Sequence, residues 1–263
     1  MTRRPAWLQP AGLRLLSPPR LSFRPVLIDT VRSVATYLAV SLYVLIVGPP
    51  GMLLAHLFGW TGLLYVLGHA GVRLGLWLSG MEYVVEGAEH VPKGRAAVFC
   101  ANHQSNVDPP LLFHALHPRM HILYKHEIDQ IPVLARAFRL GGFIPIDRRN
   151  KESAVRSISA GAASLKAGNS FLIFPEGTRS RTDELLPFKK GGFRMAIAAQ
   201  VPMVPVAVQG GRDALRRGSW LIRPVTLSIR VGPPVETVGL TSADRDELIQ
   251  RVRAEIQKLI AGT

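Results

Sequence analysis

The sequence NHQSNVD places His103 five residues before Asp108, in a segment rich in turn-forming residues. On a regular helix or strand, side chains five positions apart point in different directions, so these two can meet only where the chain turns. The polar run after residues 96–101 supplies that turn, and Pro109 suits the first position of a helix. The pattern predicts Asp108 as a helix N-cap that faces back toward His103. A carboxylate beside an imidazole stabilises its protonated form, which favours a general base near neutral pH.

Simpler interpretations of this segment stay open. Asp108 before two prolines could be a helix cap without a catalytic role. A loop histidine could likewise be only a solvent-exposed residue. Ser105 as a nucleophile with His103 as its base is disfavoured, because no GxSxG turn surrounds it. Cys100, the single cysteine, ends an apolar run and is interpreted as a buried strand residue rather than a nucleophile.

A second polar cluster follows the apolar start of FLIFPEGTRSR, residues 171–181. In parallel α/β sheets, ligands bind where such strands end. Gly177 lets backbone approach an anion, and Arg179 offers a planar fork that matches phosphate oxygens. Together with Lys125 and Arg148, this arginine could neutralise a phosphate monoester. The alternative is a set of exposed surface charges, including an ion pair between the loop's glutamate and an arginine.

Apolar runs alternate with helical patterns from Met81 onward, which predicts an α/β domain with a largely parallel sheet flanked by helices. The predicted strands are 96–101, 171–175, 204–208 and 225–231, and the predicted helices are 109–116, 131–140, 152–168 and 191–200. A C-terminal amphipathic helix with Ser242 as its cap completes the pattern. The histidines show no metal-ligand spacing, so no metal site is expected.

The charge distribution separates two classes of partner. A formal net charge of +14 favours polyanionic partners, but residues 33–72 contain no Asp, Glu, Lys or Arg. A long uncharged stretch is typical of a chain that enters lipid and not of a nucleic-acid-binding surface. We therefore expect an anionic membrane surface as a partner, and no nucleic acid.

The uncharged stretch predicts an N-terminal membrane-embedding helical hairpin. Pro49 and Pro50 predict a helix break near Gly48, which leaves a first segment of about 15 residues that rises only about 22 Å. Basic residues flank both ends, so a hairpin dipped into one leaflet is favoured over two spans. A pair of buried core helices is the alternative. The expected divisions are a basic leader (1–32), the two-helix segment (33–79) and a catalytic domain (80–263).

Four blocks, NHQSNVD, GGFIPIDR, FPEGTRSR and VPMVPVAV, occur in the order and at the spacing of the four blocks of the glycerolipid acyltransferase family. The sequence resembles this family from about Val98 to Val208, and most closely its bacterial branch that acylates 1-acyl-sn-glycerol 3-phosphate. The region before Val84 matches no motif of the family, so its topology is inferred from composition alone.

The resemblance implies an enzyme that transfers a fatty acyl group from acyl-CoA or acyl-carrier protein to the sn-2 hydroxyl of lysophosphatidic acid. The product would be phosphatidic acid, and no cofactor is implied. His103 would be the general base, Asp108 its orienting partner, and the hydroxyl would attack the thioester directly. The residues implied for binding the glycerol phosphate are Arg148, Glu176, Gly177, Thr178 and Arg179, with Lys125 a weaker addition.

Two other functions stay open at this point. The acceptor could be glycerol 3-phosphate, another lysophospholipid or an amino-acid-derived lipid, because the same base deprotonates any positioned hydroxyl. The chain could also be a non-catalytic membrane protein that binds anionic lipid through its charge. The expected location in all cases is the cytoplasmic face of the cell membrane.

Overall fold

The computed structural model describes residues 26–117, 119–147, 149–182 and 184–262. Its chain begins with two helices, α1 (Val26–Phe58) and α2 (Thr61–Ser79). Because α1 starts at Val26, the boundary expected at residue 32 falls inside a helix. Residues 1–25 of the expected basic leader lie outside the described part of the chain.

The two helices form an antiparallel hairpin. The Tyr43 hydroxyl donates to the Leu67 carbonyl at 2.9 Å, and Gly71 lies against the same tyrosine ring. Further along, Gly75 of α2 lies opposite Val40 of α1. The lack of a side chain at Gly71 lets the helices approach closely, because a Cβ atom there would lie only 3.0 Å from the Tyr43 ring, so the pair behaves as one packed unit.

The helix break expected near Gly48 is wrong, because α1 continues through Pro49 and Pro50 to Phe58. Gly48 has no Cβ to clash with the following proline ring, and it packs closely against Val133. The chain turns instead at Gly59, whose φ of 69° lies in the left-handed region that glycine adopts freely. The 33 residues of α1 rise about 50 Å in total.

Seven strands follow and form one sheet: β1 (Glu82–Glu86), β2 (Val98–Ala101), β3 (Met120–Lys125), β4 (Ile144–Ile146), β5 (Ser170–Ile173), β6 (Met203–Gln209) and β7 (Thr226–Val231). Their order is β1-β7-β6-β2-β5-β3-β4. The strands β6, β2, β5, β3 and β4 run parallel, whereas β7 pairs antiparallel with β6 and parallel with β1. The expected largely parallel sheet is confirmed.

Six further helices connect and cover the strands: α3 (Asp108–Leu116), α4 (Pro132–Leu140), α5 (Lys151–Lys166), α6 (Gly191–Ala199), α7 (Gly211–Ala214) and α8 (Arg245–Ala261). Four of them coincide with the predicted helices to within a residue or two at most ends. The expected cap of α8 is wrong, because the helix begins at Arg245 rather than after Ser242. The Asp244 carboxylate, which accepts from Thr241 N at 2.7 Å, closes the turn before it.

The core lies on both faces of the sheet. One apolar cluster contains Phe99 with the leucines of α3, and the other contains Val98 and Cys100 with apolar residues of α5, α6 and α8. All four residues of β2 are buried because helices cover both faces of this central strand. Cys100 is fully buried, and this burial raises the pKa of its thiol, so the interpretation as a strand residue is confirmed.

Candidate active site

The carboxyl ends of five parallel strands meet at one edge of the sheet, and the motif residues lie there. His103 follows β2, Glu176 follows β5, and Lys125 ends β3. The strands β2 and β5 are direct neighbours, so the first and third motif blocks leave the sheet side by side. Loops at such an edge present side chains to a ligand on a rigid frame.

Asp108 brings the loop after β2 back on itself. Its Oδ2 atom accepts three hydrogen bonds, from His103 Nδ1 at 2.9 Å and from the backbone amides of Gln104 and Ser105 at 2.7 Å each. Asp108 is fully buried and is the first residue of α3. The sequence predicted it as the N-cap, but Val107 occupies that position. The expected contact between imidazole and carboxylate is therefore present.

His103 is held in one orientation by its neighbours. Its ring stacks on Phe174, with 4.3 Å between the ring centroids, and 15% of its side chain remains exposed. Because Nδ1 donates to Asp108, Nε2 is the nitrogen left to accept a proton. This geometry is the one that the predicted roles of general base and orienting acid require.

Glu176 fixes the loop between β2 and α3, residues 102–107, which we call the catalytic loop because it carries the candidate base. Its Oε1 accepts the backbone amide of His103 at 2.9 Å, and its Oε2 accepts that of Leu186 at 2.9 Å. The residue is 2% exposed, and burial raises the pKa of its carboxyl while the two amides and His103 oppose that rise. Both carboxylate oxygens of Glu176 accept backbone amides. A carboxylate would also repel a phosphate group. The geometry thus gives Glu176 a positioning role that differs from the expected contact with substrate.

The loop after Glu176 carries the other expected phosphate-binding residues. Gly177 has a φ of 73°, a conformation that favours glycine, while Thr178 is exposed and Arg179 half-buried. The Ser180 amide donates to the His103 carbonyl at 2.8 Å, which fixes this loop beside the base. Because Arg179 directly precedes Ser180 in the sequence, its backbone lies beside the catalytic loop.

Lys125 and Arg148 are the remaining residues that were expected to bind the phosphate. Lys125 is exposed, and its ammonium forms an ion pair with Glu127 at 2.6 Å. It is paired in register with Ile146 at the end of β4, so the segment leading to Arg148 begins beside it. Arg148 itself lies outside the described residues.

Several residues of the site were missed by sequence reasoning. Asn102 exchanges two hydrogen bonds with the backbone of Val208, at 2.9 and 2.7 Å, and so ties the catalytic loop to β6. Arg212 and Arg217 donate to the backbone carbonyls of Thr182 and Arg179. The basic run GGRDALRRG, which begins two positions after the end of the fourth motif block, was the available signal for these two arginines.

Ser105 is not available as a nucleophile. It is fully buried, and its hydroxyl donates to the Leu215 carbonyl at 2.8 Å. That bond joins the catalytic loop to the segment after α7. Among the residues that the structure describes, no three or more His, Cys, Asp or Glu side chains form a group that could hold a metal ion.

Gly211 leaves the space that the Asp108 carboxylate occupies. A Cβ atom at this position would overlap Asp108 Oδ1 and would lie 3.2 Å from the Ser105 Cβ. We expect Gly211→Ala to displace Asp108 and to lower kcat about 10- to 100-fold, because displacements near 1 Å in an active site have effects of that size. Steady-state kinetics on the purified variant, with its melting temperature as a fold check, measures this.

Gly75→Ala is the matched control for this variant, because its added methyl would meet only Val40 at an ordinary contact distance of 3.5 Å. A folded Gly211→Ala protein with the same kcat as the Gly75→Ala protein would show that the position of Asp108 does not matter.

Comparison with known proteins identifies the family. The model of the family described as Acyltransferase matches residues 82–209. A 1-acyl-sn-glycerol-3-phosphate acyltransferase of Limnanthes douglasii is 31% identical over 209 residues, which cover 77% of this chain and 73% of the relative. A bacterial protein of the same name, from Borreliella burgdorferi, is 27% identical over 194 residues, covering 74% of this chain and 78% of that protein.

A solved structure shows the same fold. The crystal structure of the 1-acyl-sn-glycerophosphate acyltransferase of Thermotoga maritima superposes with a TM-score of 0.77 at 24% identity, over 90% of this chain and 97% of that one. The resemblance drawn from the four motif blocks is confirmed. The chain belongs to the acyltransferase family that includes the 1-acyl-sn-glycerol-3-phosphate acyltransferases.

Proposed function

We propose that this protein transfers a fatty acyl group from acyl-CoA or acyl-carrier protein to the sn-2 hydroxyl of lysophosphatidic acid, forming phosphatidic acid. The 2.9 Å contact between His103 Nδ1 and Asp108 Oδ2, at the carboxyl edge of the sheet, is the observation that carries the proposal. The names of the relatives support this acceptor. Arg179, which directly precedes the Ser180 amide bonded to the His103 carbonyl, suits the phosphate group of this acceptor.

The proton and the acyl group move in a defined order. His103 Nε2 removes the proton of the sn-2 hydroxyl as its oxygen attacks the thioester carbonyl, and the Asp108 carboxylate stabilises the imidazolium that forms. The tetrahedral intermediate then expels the thiolate of the donor, which takes the proton from the imidazolium. The new ester bond replaces the thioester bond, and both residues return to their starting states without a covalent acyl-enzyme.

Arg179 is the residue of the third block best placed to bind the phosphate. We expect Arg179→Ala to raise KM for lysophosphatidic acid about 10- to 100-fold, because a hydrogen bond to a charged group contributes about 1.5–3 kcal/mol. KM for the thioester should change little, since that substrate does not depend on this guanidinium. Both constants are measured by varying one substrate at saturation of the other.

Arg194→Ala is a suitable control, because this exposed arginine lies on α6, on the opposite face of the sheet from the hairpin. If Arg179→Ala raised only the thioester KM, Arg179 would bind the acyl donor and the assignment of the phosphate site would be wrong.

The hairpin supports association with one face of a membrane. α1 is long and apolar enough to cross a bilayer by length and composition, yet only 17% of its most apolar window is buried. Such exposure argues against the alternative of two core helices. α1 touches the catalytic domain both at Ser33 and at Gly48, about 22 Å apart along the helix. A helix that lies along the domain in this way suits insertion into one leaflet better than crossing. Basic flanks favour the cytoplasmic side.

An acceptor screen tests the proposed function. Purified full-length protein in detergent micelles is given one labelled acyl-CoA and, separately, lysophosphatidic acid, glycerol 3-phosphate and lysophosphatidylcholine. We expect phosphatidic acid to be the main product. Preferential acylation of glycerol 3-phosphate or of a choline lipid would overturn the acceptor assignment, and the lack of any labelled lipid would favour a non-catalytic lipid-binding protein.

A further inference from the structure

The segment between α7 and β7 forms a closed loop with an exposed tip. The amide of Arg223 donates to the Ala214 carbonyl at 2.8 Å and so closes its base. All five residues from Arg216 to Trp220 (RRGSW) are exposed, and the Trp220 side chain is 51% exposed. We call residues 215–222 the tryptophan loop. Tryptophan is a highly buried residue type on average, whereas here it is half exposed and lies beside two arginines.

Both ends of the tryptophan loop are fixed to functional parts of the protein. The Leu215 carbonyl accepts the hydroxyl of Ser105 from the catalytic loop at 2.8 Å. At the other end, the Ile222 amide donates to the hydroxyl of Ser33 in α1 at 2.8 Å, and Ser33 is fully buried. The tryptophan loop therefore bridges the catalytic loop and the first hairpin helix, so the position of its tip is fixed relative to both.

The surface around the tip combines apolar and cationic groups. The neighbouring end of α1 exposes Val26, Leu27 and Val31, each with at least 60% of its surface open. In the part of the chain that the structure describes, no ion pair with a carboxylate engages Arg216 or Arg217. Tryptophan favours the interface between lipid tails and headgroups, while arginine binds the phosphates of anionic lipids.

We propose that the tryptophan loop is a second membrane contact, in which Trp220 inserts at the headgroup level and Arg216 and Arg217 bind anionic phospholipid. This inference rests on the proposed function in one respect, because it takes the hairpin to lie in a membrane. Continuity with the lipid-facing end of α1 favours a bilayer over an acidic carrier protein as the occupant. Through Ser105, the contact would set His103 at the depth where the glycerol hydroxyl of a lysophospholipid lies.

Fluorescence of Trp220 tests the contact directly. The full-length protein is prepared with Trp7, Trp60 and Trp77 replaced by phenylalanine, which leaves Trp220 as its single tryptophan. It is then added to vesicles of phosphatidylcholine with phosphatidylglycerol, in which the phosphatidylcholine carries brominated acyl chains. We expect a blue shift and quenching by the bromolipid that both depend on phosphatidylglycerol. R216E/R217E in the same background should reduce quenching to the level seen with phosphatidylcholine alone.

R194E/R251E is the matched charge control, because both arginines are exposed on α6 and α8, which cover the other face of the sheet. It should leave the quenching unchanged. Trp220 that stays unquenched by bromolipid and open to aqueous iodide would overturn the proposal. So would a loss of activity in R216E/R217E confined to acyl-carrier protein as donor, with quenching intact. Acyl transfer in detergent micelles is measured in parallel and reports the catalytic assignment separately.

Discussion

His103→Ala is expected to lower kcat for acyl transfer to lysophosphatidic acid by about 10²- to 10⁴-fold, the usual contribution of a general base. The variant keeps the backbone amide that donates to Glu176 and the carbonyl that accepts from Ser180, so the loop should keep its course. KM for either substrate should change much less than kcat, because the imidazole acts mainly on the proton in the transition state. The measurement is phosphatidic acid formed per enzyme from labelled acyl-CoA in detergent micelles.

His56→Ala serves as the control, because this exposed histidine lies on α1, away from the catalytic loop. It should keep the activity of the unmodified protein. A folded His103→Ala variant with the same kcat as this control would remove His103 from the chemistry and leave the acyl transfer without an identified base.

Asp108→Asn is expected to lower kcat by a similar factor, about 10²- to 10⁴-fold, while the protein stays folded. The amide has the shape of the carboxylate, and its oxygen can still accept the amides of Gln104 and Ser105. It carries no charge, however, and cannot stabilise the imidazolium that forms when His103 takes the proton. The loss should therefore appear in kcat, with a small change in melting temperature.

Asp108→Ala separates structure from chemistry at the same position. It removes the acceptor of three hydrogen bonds at once, so it should lower the melting temperature as well as kcat. If Asp108→Asn destabilised the protein as much as Asp108→Ala and kept its kcat, the carboxylate would be a helix cap alone, the simpler interpretation of the motif.

Local patterns predicted much of the fold and of the catalytic pair. Apolar runs between helical patterns gave the central strands, since burial on both faces demands continuous apolar residues. The strands β1, β3 and β4 were missed because they carry polar or charged residues or are only three residues long. The turn between His103 and Asp108 was predictable because strand end, turn formers and prolines lie within one short segment.

Features that depend on distant contacts could not be predicted from local patterns. The helix through Pro49 and Pro50 is supported by packing on Val133 and on α2, which no local pattern shows. Glu176 was expected to face the substrate, yet its burial and its bond to the His103 amide arise only when β2 and β5 pair. Such contacts join residues more than seventy positions apart in the chain.

The most direct test of the central claim, that His103 and Asp108 act as one proton-accepting unit, is the rate of a single turnover in a double variant. Purified His103→Ala, Asp108→Asn and the combined protein are each mixed in excess with lysophosphatidic acid and labelled acyl-CoA. Because Asp108 acts through the imidazole, the combined variant should be no slower than His103→Ala alone. Losses that multiply in the combined variant would contradict the claim, since the two residues would then act independently.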